Sequence, residues 1–240
     1  RFPGLSGNFS EWIFRRNYGM IGRKTKGITR LKKLSAYQVL EILFPVAFHY
    51  GMMLLAAMLT GNFLDAASQT TLAALLALPF LWMLYKKEPK PEKKYSRRSL
   101  WLLPFVGMAG NTLFSLILNA VHLTEHFSNA SQEALFQSNL LLQIIGIGLF
   151  VPFVEELVFR GLVYGKMRRL FSFRVAAAVS AALFALYHGN IVQLVYAFPM
   201  GLLLAWSYER WGSLSAPVLL HIGANLLGIL ETVIRRFSIR

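Results

Sequence analysis

Long apolar runs constrain this chain more than any other feature. Several of them approach or exceed the ~18 to 20 residues that a helix needs to cross a bilayer. They cover residues 36–60, 66–85, 100–121, 135–165, 175–189, 191–208 and 214–232. Only 15% of the residues are charged, whereas soluble domains carry about a quarter. One soluble core could not hide all of these runs, so the sequence predicts an integral membrane protein.

The runs also predict which kind of spanning structure the chain forms. Strands of a membrane barrel are short and alternate polar with apolar residues, whereas these runs are long and continuously apolar. We therefore predict an all-α fold, a polytopic transmembrane helical bundle with about seven or eight membrane helices.

The basic residues lie between the apolar runs. The net charge is +14, and the Lys and Arg residues cluster before residue 35, between 86 and 98, and between 166 and 174. This pattern is typical of cytoplasmic loops that contact anionic lipids. It predicts a multi-pass protein whose N-terminus and basic loops are cytoplasmic. Nucleic-acid binding is a minor alternative for the first 33 residues and is not expected for the rest.

The C-terminal tail does not fit this topology. With seven crossings, Arg235, Arg236 and Arg240 would lie outside, against the rule that basic residues stay inside. Either one span is miscounted or one segment is re-entrant, and residues 186–195 are the suspected segment.

Two adjacent carboxylates lie inside the fourth run, in the sequence VPFVEELVFRG. Ionisable residues at membrane depth are costly and usually face the bundle interior. Glu156 and Arg160 are four residues apart and share a helix face, so they can form an ion pair. Glu155 points about 100° away and has no partner on its own helix. Pro152, one turn earlier, is expected to free a carbonyl and bend the helix.

Two later runs contribute further polar residues. His188 ends the fifth run, and His221 and Asn225 share a face of the last. Each histidine alone is more often a core residue, but three spans that converge with Glu, His and His/Asn are hard to explain as packing. Glu155 with His188 could activate a water, and His221 with Asn225 could stabilise an oxyanion. A zinc site of Glu155, His188 and His221 is the neighbouring alternative.

The ordered motifs EE-x-x-x-R (Glu155, Glu156, Arg160), F-x-x-x-H (Phe184, His188) and H-x-x-x-N (His221, Asn225) resemble those of the CAAX-protease and bacteriocin-processing (CPBP, Abi-type) family of intramembrane peptidases, which includes prenyl-protein endopeptidases. The resemblance implies that Glu155, His188, His221 and Asn225 are catalytic, and that Glu156, Arg160 and Phe184 are structural. Members of this family are often labelled metallopeptidases, but a metal-free, glutamate-dependent mechanism fits these residues better, so no cofactor is expected, and zinc is possible but not favoured.

We therefore divide the chain into a basic cytoplasmic segment (1–35), N-terminal transmembrane helices (36–134) and a catalytic core (135–240). The predicted function is endopeptidase cleavage of a membrane-associated substrate, either a prenylated CAAX-like protein or a leader or pheromone peptide. The main alternative is a non-catalytic immunity or scaffold protein of the same fold. A transporter with a Glu/His proton relay is third, because no inverted repeat is visible.

Other polar residues receive plainer interpretations. The H-x-x-E-H pattern from His122 to His126 resembles an inverted zinc-peptidase signature, but it falls in a short loop and is interpreted as a chance match. Glu41 and His49 lie two turns apart on one face of the first run, and core or lipid-interface roles are expected for them. The sequence contains no cysteine, which excludes thiolate chemistry.

Overall fold

The computed structural model describes residues 34–238. This range contains helices and no strand, and seven of the helices are long. We number them α1 to α7; they are Ala36–Thr60, Ala66–Lys86, Arg97–Ala120, Leu140–Leu170, Phe173–Tyr187, Ile191–Trp211 and Ser215–Ser238. The predicted helical membrane bundle is confirmed. The predicted basic segment 1–35 falls almost wholly outside the described residues.

Six of the seven helices are long and apolar enough to cross a membrane, and α5 is the exception. Its 15 residues extend about 22 Å at 1.5 Å per residue, less than the ~30 Å hydrocarbon core. The suspected re-entrant segment, 186–195, contains the end of α5, a short turn and the start of α6. Gly189 in that turn has φ +70°, a conformation that glycine adopts without strain.

Local sequence explains where most of the helices begin. Ser35 caps α1 through a reciprocal pair of hydrogen bonds with Gln38, and Asn190 caps α6. Asp65 caps α2 by accepting from the Ser68 amide at 2.8 Å. The nearby Ser138 hydroxyl and the amides at the start of α2 hold the pKa of Asp65 below its ordinary value. Asn139 caps α4, so that helix begins at Leu140 instead of the predicted residue 135.

The basic loops meet at one end of the bundle, which we call the basic end. The amides of Lys94 and Tyr95 donate to the Arg210 carbonyl. Glu88 accepts from Lys166 at 2.7 Å and from Arg169 at 2.6 Å. These contacts join the α2–α3 loop, the end of α4 and the end of α6.

The other loops meet at the opposite end. Gln193, at the start of α6, contacts Asn129 of the α3–α4 segment at 3.4 Å, and Arg236, near the end of α7, donates to the Phe136 carbonyl. The seven helices therefore alternate in direction, and the last one ends away from the basic end. Arg235 and Arg236 thus lie opposite the other basic loops, as a count of seven requires.

Small residues let the helices approach closely. Gly107 of α3 lies directly against the Leu220 carbonyl of α7, and Gly223 of α7 lies against the Pro104 carbonyl of α3. The buried face of α2 is largely alanine. Close backbone contact of this kind drives helix association where no water remains to be expelled. Because α3 packs on α7, the helices before and after residue 135 form one bundle.

Candidate active site

The polar residues of the predicted site gather around one turn of α4. This helix alternates between two forms, with π-helical stretches at Gln143–Phe150 and Leu157–Tyr164 and an α-helical segment, Val151–Glu156, between them. Both carboxylates end the α-helical segment. Single turns of π-helix are rare and often occur at functional sites.

Glu156 and Arg160 form the predicted ion pair. Arg160 Nη1 lies 2.9 Å from Glu156 Oε1, and both side chains are fully buried. The guanidinium also donates to the Gly201 carbonyl of α6 at 3.2 Å and lies 4.3 Å from the centroid of the Phe184 ring of α5. The pair therefore connects three helices.

His221 lies between the two carboxylates. Its Nδ1 is 2.8 Å from Glu156 Oε1, and its Nε2 is 3.8 Å from Glu155 Oε2. A carboxylate only accepts hydrogen bonds, so Nδ1 carries the proton and Nε2 faces Glu155. Sequence reasoning assigned Glu156 to the ion pair alone and missed this contact. The i,i+4 spacing predicts the contact of Glu156 with Arg160. No local pattern predicts its contact with His221, which lies 65 positions later in the sequence.

His188 lies at the end of α5. Its Nδ1 is 2.8 Å from the Phe184 carbonyl, which can only accept, so Nδ1 is protonated and Nε2 is left as the basic nitrogen. The Phe184 ring contacts the rings of both His188 and His221, with centroids 4.9 and 5.7 Å apart. Phe184 therefore connects the two histidines.

Asn225 makes a contact that Pro152 explains. In the first π-helical stretch the Val151 amide bonds to the Gly146 carbonyl, five residues back. By that pattern the Ile147 carbonyl would accept from residue 152, but proline has no N–H. Asn225 Nδ2 donates to the Ile147 carbonyl instead, at 2.9 Å. The carbonyl that Pro152 frees is thus satisfied by α7.

This compensation predicts non-additive stability effects. Asn225→Leu removes the donor and leaves a buried carbonyl unpaired, which should cost about 1–3 kcal/mol of unfolding free energy. Pro152→Ala restores an N–H at residue 152, so Asn225→Leu should cost clearly less in that background. Unfolding of the four proteins in detergent measures both costs. Equal costs in the two backgrounds would contradict the explanation.

Gly201 is required by the same arrangement. A Cβ at this position would lie 2.9 Å from the Ala181 Cα and 3.2 Å from Arg160 Nη2. Gly201→Ala should therefore separate α5 from α6 and destabilise the protein by about 1–3 kcal/mol, the usual cost of overpacking. Gly51→Ala on α1 is the matched control, because its added Cβ meets nothing within 4 Å. Thermal unfolding in detergent should show a loss for the first variant and none for the second.

The other candidate residues are placed as follows. His122 Nδ1 lies 2.8 Å from Glu125, and both side chains are more than 60% exposed, while His126 is also at the surface. Glu41 reaches Lys166 at 4.0 Å.

His49 is buried, at 1% exposure, and contacts Tyr187. Sequence reasoning noted this histidine but missed its contact with the residue beside His188.

The zinc alternative involves Glu155, His188 and His221. Among residues 34–238, no three His, Asp or Glu side chains are arranged to hold a metal ion. The hydrogen bonds from Nδ1 of His188 to the Phe184 carbonyl and from Nδ1 of His221 to Glu156 leave Nε2 as the open nitrogen of both rings. The metal-free mechanism stays a prediction that a chelator can test.

Comparison with known proteins identifies the part of the chain that carries these motifs. Residues 137–227 match the Rce1-like family, described as type II CAAX prenyl endopeptidase Rce1-like. The predicted family resemblance is confirmed. The match includes all seven predicted site residues and excludes the first three helices.

Individual bacterial proteins are also similar to this chain. UPF0177 protein YxdF of Lactococcus lactis is 25% identical over 66% of this chain and 90% of its own length. The membrane-embedded CAAX protease MroQ of Staphylococcus aureus is 26% identical over 58% of this chain and 59% of its own. The putative membrane peptidase YdiL of Bacillus subtilis is 27% identical over 35% of this chain and 34% of its own. No solved structure matches significantly. At low identity, these matches support an integral membrane protein of the protease class.

Proposed function

We propose that the chain is an intramembrane endopeptidase that hydrolyses a peptide bond with a water activated by Glu155 and His188. The observation that carries this proposal is the position of Glu155. Its carboxylate lies 3.8 Å from His221 Nε2, while Glu156 is fully buried and bonded to Arg160 and His221. Two adjacent carboxylates thus have different environments, which is a common sign of different roles.

The proposed reaction begins with the water. Glu155 accepts a proton from it, and the free Nε2 of His188 accepts its second hydrogen bond, so that the oxygen attacks the peptide carbonyl. Glu155 then returns the proton to the leaving amine. Both steps take place where water is scarce, which strengthens the electrostatic interactions involved.

The negative charge that develops on the carbonyl oxygen needs donors. We assign His221 Nε2 and the second N–H of the Asn225 amide to this role. Because Nδ1 donates to Glu156, His221 donates from Nε2 only when that nitrogen also carries a proton. Glu156 thus acts through His221, as the acceptor that fixes its orientation.

The substrate is proposed to be a peptide held at the membrane, either a prenylated CAAX-like sequence or a leader or pheromone peptide. MroQ is named a CAAX protease and the matched family a prenyl endopeptidase. The test is cleavage by the detergent-purified protein of a farnesylated CAAX peptide, the same peptide without its lipid, and a hydrophobic leader peptide. Cleavage of any of them supports the activity, and preference for the farnesylated peptide selects the first class. No cleavage of any peptide would favour a non-catalytic immunity or scaffold protein.

We further propose that the basic end faces the cytoplasm, because it gathers the basic loops. The absence of cysteine from the sequence makes a direct test possible. Glu92 and Thr124 are exposed, one near the basic end and one in the α3–α4 segment at the opposite end. In intact cells, a membrane-impermeant maleimide should modify the protein with Thr124→Cys and not the one with Glu92→Cys. The reverse pattern would invert the proposed topology.

A further inference from the structure

A buried histidine outside the matched region lies next to the candidate active site. His49 is near the middle of α1, at 1% exposure, among otherwise apolar buried residues of that helix. A polar ring at this depth is costly unless it is paired. Core packing alone would be served by an apolar residue, so the contacts of His49 are informative.

The partner of His49 is Tyr187, the last residue of α5. His49 Nδ1 lies 2.8 Å from the Tyr187 hydroxyl, and the two rings are stacked with centroids 5.6 Å apart. The same hydroxyl contacts the Met53 sulfur, one turn further along α1. Nε2 of His49 is buried and has no hydrogen-bond partner among residues 34–238. The imidazole is therefore held on one side only, by Tyr187.

Tyr187 in turn contacts the residues that surround His188. The Tyr187 ring packs edge-on against the His188 ring, with centroids 6.0 Å apart, and against the Phe159 ring, with centroids 5.4 Å apart. Phe159 contacts Phe184, whose carbonyl accepts from His188 Nδ1. His49 is thus two contacts away from the proposed catalytic imidazole.

The end of α5 is where such support matters. His188 follows the last helical residue and precedes Gly189, which has positive φ. Helix ends lose their structure more readily than helix interiors, so backbone hydrogen bonds alone hold His188 loosely. Tyr187 is anchored to α1 by its hydroxyl and shares with Phe184 a contact to the Phe159 ring, so the two residues together fix the last turn of α5.

We propose that His49 and Tyr187 are a positioning pair that sets the orientation of His188 toward Glu155. The N-terminal helices, which lie outside the matched family region, then complete the active site. This inference rests on the proposed function for its effect on catalysis, but the pairing and its effect on His188 do not depend on peptidase activity.

The experiment compares His49→Phe, Tyr187→Phe and the double variant in detergent. Tyr50→Phe is the matched control, since Tyr50 also touches the Tyr187 ring but is half exposed. His49→Asn is the conservative variant, because its amide can occupy the position of Nδ1. Three readouts are followed: unfolding, the carbethoxylation rate of His188 determined by mass spectrometry, and kcat and KM for the peptide that the unmodified protein cleaves.

We expect kcat to fall about 10-fold to 100-fold in His49→Phe and Tyr187→Phe, as for a misplaced catalytic group, with little change in KM. The carbethoxylation rate of His188 should change at least about threefold, because the end of α5 loosens. The double variant should be no worse than the worse single variant, His49→Asn should recover part of kcat, and Tyr50→Phe should match the unmodified protein.

Two outcomes would overturn the proposal. Additive effects on unfolding would show that the residues do not act as a pair. An unchanged carbethoxylation rate with unchanged kcat would show that they do not position His188. If the unmodified protein cleaves none of the peptides, the proposed function fails, while unfolding and carbethoxylation still decide whether the pair holds His188.

Discussion

Glu155→Gln is expected to abolish peptide cleavage and to leave the protein folded. Glutamine has nearly the same shape as glutamate. Among the described residues, the only ion-pair contact of Glu155 is with His221, where its Oε2 lies 3.8 Å from Nε2. The substitution removes the base that accepts the proton of the water. Loss of a general base costs about 100-fold to 10,000-fold in rate. The measurement is kcat/KM on the cleaved peptide, with thermal unfolding measured in parallel.

Glu156→Gln is the matched control, because it changes the neighbouring carboxylate in the same way. Glu156 is bonded to both Arg160 and His221, so its loss should lower folded yield and thermal stability. Equal cleavage by Glu155→Gln and the unmodified protein would remove Glu155 from the mechanism. A loss of folded yield in Glu155→Gln would instead make it a structural residue.

Arg160→Met should cause the largest loss of stability. Arg160 and Glu156 are both fully buried, and removing one partner of a buried ion pair leaves the other charge uncompensated, at a cost of about 3–5 kcal/mol. The substitution also removes the bond to the Gly201 carbonyl. We expect little folded protein after extraction in detergent, measured as the monodisperse fraction on size exclusion.

Two further variants separate the effect of the unpaired buried charge from the effect of lost packing. Arg98→Met, at an exposed position in the first turn of α3, should leave yield unchanged. Combining Arg160→Met with Glu156→Gln should recover part of the loss, because no unpaired charge remains. A double variant that is worse than Arg160→Met alone would contradict the assignment of the cost to the buried carboxylate.

The local parts of the site could be predicted from sequence. Glu156 and Arg160 are one helical turn apart, so their spacing alone brings them together. Pro152 was expected to free a carbonyl, and the structure identifies it as that of Ile147. Apolar run length predicted the bundle because a bilayer leaves the backbone few alternatives.

The contacts between helices could not be predicted in the same way. That His221 reaches Glu156 depends on the register of α7 against α4, and that register is set by close packing such as Gly223 against Pro104. The π-helical stretches of α4 shift each later side chain around the helix axis. Positions predicted from a regular α-helix are therefore wrong for these side chains. His49 carries no motif, and only the position of α1 reveals its contact with Tyr187.

The central claim is that Glu155 activates a water for peptide hydrolysis. The most direct test is mass spectrometry of the products formed from the cleaved peptide in H₂¹⁸O with EDTA present. Water activation by Glu155 predicts one ¹⁸O in the new C-terminal carboxylate with the unmodified protein, and no product with Glu155→Gln. Cleavage that EDTA stops and zinc restores, or undiminished cleavage by Glu155→Gln, would contradict it.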